Sequence, residues 1–255
     1  MCIRDSYCYY DPVSHGVDFE GMVRDLSQAR AGDVVLLHGC CHNPCGADLS
    51  LEQWGVVADM AQQQGFTPFV DFAYQGLGDG LEEDAAGLRL LVSRLPEVIV
   101  AASCSKNLGL YRERTGAAIF ICQDSASASA ALSQAKAAAR RVYSMPPAHG
   151  ALLAGRVLTD EKLDGIWRAE LQAMCRRING LRSDLRRALE RSTDRDFAFI
   201  EKEKGMFSFL GLSAEQTRRL REEHSVYMLD SSRINVAGVN GRNVDYLAES
   251  VSRVL

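Results

Sequence analysis

Residues 34–46 read VVLLHGCCHNPCG, an apolar run of strand type that ends in a loop rich in polar side chains. Ser50 follows at a helix N-cap position, Gln53 occupies the capping-box position, and Gly65 marks the end of that helix. A strand followed by a helix is the βα unit from which parallel sheets are built. The segment therefore predicts a parallel sheet that is covered by helices.

The same alternation of strand and helix patterns extends over most of the first 141 residues. Such alternation is typical of an α/β domain with a mostly parallel sheet. The further predictions are strands at residues 69–71, 98–102 and 117–121, a helix at residues 81–95 that ends before Pro96, and a long alanine-rich helix at residues 124–141.

The pattern changes after Pro146 and Pro147. Either Thr159 or Asp160 can cap a helix that continues to about residue 191, because apolar residues recur there at steps of three or four. This helix is long enough to connect two lobes, and the rest of the chain predicts a small α+β domain with helices from Ser213 and from about residue 241. We expect a foreign or disordered leader at residues 1–6, a large domain at residues 7–158, a connecting helix at residues 159–191 and a small domain at residues 192–255.

The composition is that of a globular protein, with 47% hydrophobic and 24% charged residues in a chain of 255. A net charge of -4 provides no basic surface for nucleic acid and no polybasic anchor for anionic lipid. No run approaches the roughly 20 apolar residues of a spanning helix, and the first residues lack the apolar region of a signal peptide. We therefore expect a cytoplasmic protein without nucleic-acid or membrane partners, whose eight cysteines stay reduced.

Chemically active side chains follow three of the predicted strands, and parallel strands end at one edge of a sheet. A lysine there can form a Schiff base with an aldehyde cofactor, and a carboxylate can keep a pyridine nitrogen protonated. An arginine with two hydroxyl groups can bind a phosphate monoester. The residues that supply these groups are Asn43, Asp71, Tyr74, Ser103, Ser105, Lys106 and Arg114.

Five segments in this order resemble the aspartate/aromatic amino-acid aminotransferases, class I of the fold-type I pyridoxal-phosphate enzymes. They are HNPCG (42–46), PFVDFAYQGLGDGLEEDA (68–85), SCSKNLGLYRERTG (103–116), YSMPPAHGA (143–151) and SSRINVAGV (231–239). The resemblance runs from about Tyr7 to the C-terminus. It implies that residues 7–158 are the C-terminal part of a large domain that binds pyridoxal 5′-phosphate. It also implies a homodimer that transfers amino groups from L-aspartate, aromatic amino acids or both to 2-oxoglutarate.

The resemblance implies roles around the cofactor as well. Lys106 matches the Schiff-base lysine, which also moves the proton between substrate and cofactor. Asp71 matches the carboxylate that pairs with the pyridine nitrogen, and Tyr74 and Asn43 match the donors to the ring hydroxyl oxygen. Part of the phosphate site is matched by Ser103, Ser105 and Arg114.

The substrate contacts follow in the same way. Arg233 matches the arginine that holds the substrate α-carboxylate, beside Asn43. Arg140 matches the arginine that a neighbouring subunit offers to the distal carboxylate of a dicarboxylic substrate, although an exposed charge at a helix end is its alternative interpretation. His38 resembles a histidine behind the cofactor ring, and a turn-capping imidazole is the alternative there.

Two departures from the family pattern lead to other hypotheses. Cys45 stands where the family motif has a threonine, a change that should be tolerated because Asn43 makes the contact. The family's chain is longer at its N-terminus and carries there a glycine-rich loop of the phosphate site. The resemblance therefore implies an N-terminally truncated fragment with little or no activity alone. A catalytically inactive fragment is one alternative, and a metal-binding module at Cys40, Cys41, His42 and Cys45 is a remote one.

Overall fold

A computed structural model describes residues 6–255, so that all but the last residue of the predicted leader at 1–6 lies outside the described residues. The strands are β1 (Tyr10–Asp11), β2 (Gly16–Val17), β3 (Val34–His38), β4 (Thr67–Phe72), β5 (Val98–Ser103), β6 (Gly116–Ile121), β7 (Phe207–Phe209) and β8 (Arg233–Asn235). The α-helices are α1 (Phe19–Leu26), α2 (Leu51–Gln64), α3 (Ala86–Arg94), α4 (Ser125–Tyr143), α5 (His149–Thr159), α6 (Glu161–Ser192), α7 (Phe199–Lys202), α8 (Ala214–His224) and α9 (Val244–Val254).

The main sheet has the strand order β3-β4-β5-β6. β3, β4 and β5 run parallel, which confirms the predicted mostly parallel α/β sheet. β6 is antiparallel to β5, and its first residue, Gly116, pairs with the last residue of β5, Ser103. The turn at residues 104–115 therefore stays at the edge where the three parallel strands end.

The helices that flank this sheet begin where their capping residues predict. The Ser50 side chain accepts from the Gln53 amide, Gln53 returns the bond, and Gly65 ends α2 with a φ of 78°. Asp160 caps α6, the predicted connecting helix, by accepting from the amide of Leu163. Thr159 is instead the last residue of α5, a helix that the sequence analysis did not predict.

The predicted helix at residues 81–95 begins later than expected, at Ala86. The cause is Asp84, which is 8% exposed and accepts hydrogen bonds from the backbone amides of Gly76, Gly78 and Asp79. These bonds hold residues 81–85 in turns against the loop that follows β4. A tertiary contact therefore overrides the helical pattern at this end.

Two hydrophobic clusters share α6. Leu171 and Ile178, near the middle of the helix, pack into the hydrophobic cluster of the main sheet. Leu185 and Leu189, in its second half, pack with α8 and α9. We call residues 192–255 the C-terminal lobe, and we propose the predicted division at residues 158 and 191 as the domain boundaries.

Apolar side chains also lie exposed on β6, α4 and α5 and on the turn between the two helices. None of the α4 residues is buried, and the exposed side chains include Phe120, Val142, Met145 and Leu152. We call this surface the α4–α5 face. Exposed apolar surface of this kind is typical of interaction sites. Among residues 6–255, none of the helices combines the length and the apolar character that crossing a membrane requires.

Candidate active site

Tyr74 is the centre of the candidate site at the carboxyl edge of the parallel strands. Its side chain is 6% exposed, and the Lys106 ammonium lies 4.7 Å from the centroid of its ring. The Asn43 amide nitrogen donates to the Tyr74 hydroxyl at 3.4 Å. These three residues follow β4, β5 and β3, so the predicted convergence of strand ends takes place here.

Two charged groups act on the Tyr74 hydroxyl. Burial raises the pKa of this phenol above its ordinary value, and the nearby Asp71 carboxylate raises it further. The Arg233 guanidinium and the hydrogen bond from Asn43 act in the opposite direction. Tyr74 is therefore protonated at neutral pH, with one anion and one cation acting on it.

Arg233 reaches this site from the C-terminal lobe. It begins β8 and pairs with Phe209 of β7. Its guanidinium lies 4.0 Å from the centroid of the Phe207 ring, and the Phe207 ring meets Tyr74 edge-to-face at 6.1 Å. Phe207 thus supports Arg233 beside Tyr74.

Phe207 and Tyr111 are neighbours of Tyr74 that the sequence analysis missed as site residues. The alternating run at residues 206–209 predicts a strand in the small domain. Its period shows that Phe207 and Phe209 share one side, but not which partner that side meets. The sequence therefore contains the strand pattern of Phe207 but no indication that its ring contacts Tyr74 and Arg233.

The predicted phosphate residues lie around the turn between β5 and β6. Ser103 ends β5, and its hydroxyl accepts from the amide of Ser105, which is 3% exposed. Arg114 is exposed and donates to the Tyr111 carbonyl at 3.2 Å. The same turn also carries Lys106, so these four residues belong to one short stretch of chain at the edge of the sheet.

His38 lies beside Asp71, its register partner in β4. Burial lowers the pKa of His38, and the Asp71 carboxylate opposes that shift. The ring packs at 4.2 Å from His42, which in turn stacks on Tyr9 at 4.1 Å. Burial also lowers the pKa of His42 to about 3, so both imidazoles are uncharged at pH 7.

The four predicted metal ligands do not converge, which corrects that hypothesis. Within residues 6–255, Cys40 and Cys41 group with Asp84, all within 4.8 Å. Cys45 and His42 form a separate pair, with Sγ and Nδ1 3.1 Å apart. Burial raises the pKa of the Cys45 thiol to about 12, which keeps it protonated.

Arg140 is not brought to this cluster. It lies exposed in the last turn of α4, on the α4–α5 face. In the described part of the chain, the contacts around Tyr74 come from other residues. A role for Arg140 in a neighbouring subunit's site stays a prediction.

A buried carboxyl group lies in the segment that leads to Phe207. Glu203 is 2% exposed, and its Oε2 lies 3.3 Å from Nη1 of Arg182. Burial raises the pKa of Glu203 from 4.5 to about 7, against the opposing effects of Ser208 and Arg182. Folding therefore favours the protonated form of this side chain.

We expect the free energy of unfolding to depend on pH because of Glu203. Since the folded state binds the Glu203 proton more tightly, its contribution is present below pH 4.5 and is lost as the pH rises through 7. In the wild type, we expect Glu203 to lower the free energy of unfolding by on the order of 1–3 kcal/mol as the pH rises from 4.5 to 8. The Glu203→Gln variant should lack this decrease. Urea unfolding at several pH values measures this difference.

The matched control is Glu201→Gln, two residues earlier. Ion pairing with Arg186 lowers the pKa of Glu201. We therefore expect Glu201→Gln to show the same decrease in the free energy of unfolding with pH as the wild type. Asp48, whose pKa burial raises to about 6, retains part of the pH dependence in every variant. Parallel pH profiles for the wild type and Glu203→Gln would refute the assignment.

Comparison with known proteins links this geometry to one family. The family model described as aminotransferase class I and II matches residues 3–251. The aromatic-amino-acid aminotransferase of Paracoccus denitrificans is 48% identical over 250 residues, which are 98% of this chain and 64% of the relative. The aspartate aminotransferase of Escherichia coli (strain K12) is 49% identical, with 98% of this chain and 63% of the relative covered.

Solved structures show the same similarity in three dimensions. An aromatic-amino-acid aminotransferase from Burkholderia pseudomallei, covalently bound to pyridoxal phosphate, superposes with a TM-score of 0.96 at 41% identity. That match covers 98% of this chain and 63% of the other. An aromatic amino acid aminotransferase with 3-indolepropionic acid superposes with a TM-score of 0.94 at 48% identity over 96% of this chain and 63% of the other. The chain thus spans slightly less than two thirds of the length of these relatives.

Proposed function

The chain belongs to the class I and II aminotransferase family, and we propose that the protein transfers amino groups between amino acids and 2-oxo acids with pyridoxal 5′-phosphate as cofactor. One observation carries the proposal. The Lys106 ammonium lies 4.7 Å from the centre of the Tyr74 ring, whose hydroxyl receives a hydrogen bond from Asn43. Asp71 and Arg233 act on the same phenol with opposite charge.

This donor set fits the chemistry of pyridoxal phosphate. Lys106 offers a primary amine for the covalent bond, and Asp71 offers a carboxylate to hold a proton on the pyridine nitrogen. Tyr74 and Asn43 offer donors to the ring hydroxyl oxygen. The phosphate would be held at the turn by Ser103, Ser105 and Arg114. When bound, the cofactor supplies an electron-poor ring that stabilises negative charge on the substrate carbon.

The chain's own residues then have distinct tasks. The Lys106 amine moves the proton at the substrate α-carbon, and the protonated Tyr74 hydroxyl orients the ring oxygen. The Arg233 guanidinium binds the substrate α-carboxylate by paired hydrogen bonds, with Asn43 beside it. The Phe207 ring covers one side of Arg233 and so shields this ion pair from water.

We assign L-aspartate and aromatic amino acids as the amino donors and 2-oxoglutarate as the acceptor. Relatives of both kinds have nearly the same identity to this chain, 48% and 49%. Arg140 is the residue that we assign to a second substrate carboxylate. A cytoplasmic location agrees with the seven described cysteines, all of which are free thiols.

A homodimer explains the apolar α4–α5 face. Val142 is 79% exposed and Met145 is 80% exposed, next to Arg140 at the end of α4. Covering these side chains with a second copy removes apolar surface from water. The same contact carries Arg140 towards the partner, as a substrate site shared across the interface requires.

Two measurements test the proposed function in the protein expressed from its complete reading frame. We expect binding of pyridoxal phosphate to turn the protein yellow, and L-aspartate with 2-oxoglutarate to give turnover in the ordinary enzyme range of about 1–10³ s⁻¹. A colourless protein without turnover would contradict the proposal and favour an inert member of the fold.

Residues 1–255 expressed alone should behave differently. Because this chain spans about 63–64% of its relatives, we expect weak cofactor binding and little or no transamination. The assay uses saturating pyridoxal phosphate, and size-exclusion chromatography follows the state of association. Turnover of about 1 s⁻¹ or more would show that these residues suffice.

A further inference from the structure

Arg182 is a buried guanidinium that binds the backbone of the C-terminal lobe. It lies in α6 and is 1% exposed. Its two terminal nitrogens donate to four backbone carbonyls and one carboxylate. The acceptors are the carbonyls of Ile200 (2.9 Å), Lys204 (3.1 Å), Gly205 (2.8 Å) and Phe207 (2.7 Å) and the Glu203 carboxylate (3.3 Å). The carboxylate contact is the longest of the five, so the main partner of Arg182 is the backbone of residues 200–207.

The loop that carries Asn43 is packed tightly against the same backbone. The Lys204 amide donates to the Gly46 carbonyl at 2.7 Å. A Cβ atom at Gly46 would lie 2.5 Å from the Phe207 carbonyl oxygen, and one at Gly205 would lie 2.4 Å from Cβ of Cys41. The loop at residues 39–46, which we call the Asn43 loop, is therefore in close backbone contact with residues 203–207, and a side chain at Gly46 or Gly205 would force the two apart.

A third contact joins this segment to the loop after Tyr74. The Lys204 ammonium lies 2.6 Å from the Asp79 carboxylate. Residues 203–207 are thus held from three directions: by α6, by the Asn43 loop and by the Tyr74 loop. Phe207 is the last residue of this segment, and its ring contacts both Arg233 and Tyr74.

We propose that Arg182 is a positioning residue for Arg233. Through Phe207, Arg182 sets the distance between the Arg233 guanidinium, which binds the substrate carboxylate, and the side of the site formed by Tyr74 and Asn43. The proposal rests on the function proposed above. Arg182 holds the Phe207 carbonyl, and Phe207 holds Arg233, so a shift of one moves the other. The planar fork of an arginine can donate to several carbonyls at once, whereas a lysine ammonium cannot match that geometry.

The test compares Arg182→Lys with the wild type, each loaded with pyridoxal phosphate and expressed from the complete reading frame. The probe is 3-indolepropionate, a carboxylate that a solved relative binds. We expect its affinity to fall about tenfold. KM for L-aspartate should rise by a similar factor, while kcat and the absorbance of the bound cofactor change little, because Lys106 and Asp71 make no contact with Arg182 among the described residues.

The control is Leu220→Ala, which truncates a fully buried side chain of the C-terminal lobe that is not among the hydrogen-bond partners of Arg182. Under conditions where all variants are folded, we expect it to bind the probe like the wild type. If Arg182→Lys does not fold, Lys204→Met serves instead, since it releases the segment from Asp79 at the surface and should weaken probe binding.

The outcomes separate two kinds of failure. Unchanged probe affinity in the cofactor-loaded Arg182→Lys protein overturns the positioning role and leaves the proposed function intact. When Lys204→Met replaces that variant, unchanged affinity shows that residues 203–207 do not position Arg233, and the role of Arg182, which acts through this segment, is overturned with it. Equal losses in Arg182→Lys and Leu220→Ala also overturn it, because general destabilisation then accounts for the effect. A wild-type protein that binds neither cofactor nor probe overturns the proposed function and the inference together.

Discussion

Lys106→Arg is expected to abolish covalent attachment of pyridoxal phosphate and to reduce transamination by at least about 10²–10⁴-fold, the usual contribution of a general acid–base group. Arginine keeps a positive charge above the Tyr74 ring, which lies 4.7 Å from the Lys106 ammonium. A guanidinium is too weak an acid to exchange a proton at neutral pH and does not form the covalent bond. The variant therefore separates the charge of Lys106 from its chemistry.

Borohydride reduction of the cofactor-loaded protein, followed by peptide mapping, measures the attachment directly. We expect the label on Lys106 in the wild type and no label in the variant. Lys136→Arg, an equally conservative change on the exposed surface of α4, should retain both label and turnover. A reduced cofactor on any other lysine of the wild type would refute the assignment.

The second large effect concerns the two arginines assigned to the substrate. Arg233→Ala should weaken every amino-acid substrate, whereas Arg140→Ala should weaken aspartate far more than phenylalanine. Each lost contact is a charge-assisted hydrogen bond to a carboxylate. We therefore expect the transition-state stabilisation, calculated from the ratio of kcat/KM values, to fall by about 1.5–3 kcal/mol. That decrease corresponds to roughly a 10–150-fold loss.

Arg141→Ala is the matched control, because Arg141 is the next residue in the last turn of the same helix. It should leave the ratio of aspartate to phenylalanine activity unchanged. Equal losses of the two substrates in Arg140→Ala would contradict the division of roles. So would an Arg233→Ala protein with an unaltered KM for both.

Local signals were sufficient where neighbouring residues satisfy each other. Ser50 and Gln53 cap α2 within four residues, and Gly65 ends it, so no distant contact is needed. The site residues that follow β3, β4 and β5 were predicted together for a related reason. The ends of parallel strands share one edge, whatever else the fold contains.

Prediction from the sequence was incomplete where a partner lies far along the chain. Hydrophobic periodicity has no direction, so it could not show that β6 runs antiparallel to β5. The helical pattern at residues 81–85 gave way to Asp84, whose hydrogen bonds go back to the loop at residues 76–79. Phe207 and Phe209 alternate in the pattern of a strand, but this pattern does not show that the Phe207 ring packs against Arg233, 26 residues further along the chain.

The sequence by itself determined the α/β class, the capped helices, the set of residues at the strand ends and, through its resemblance, the family. These features depend on spacing and on side-chain types that act over a few residues. Only the tertiary structure decided that Tyr74 is the centre of the site and that Arg182, a charged residue of a long amphipathic helix, is buried. The physical reason is that a guanidinium can leave water only where acceptors converge on it, and these acceptors lie 18 to 25 residues further along the chain.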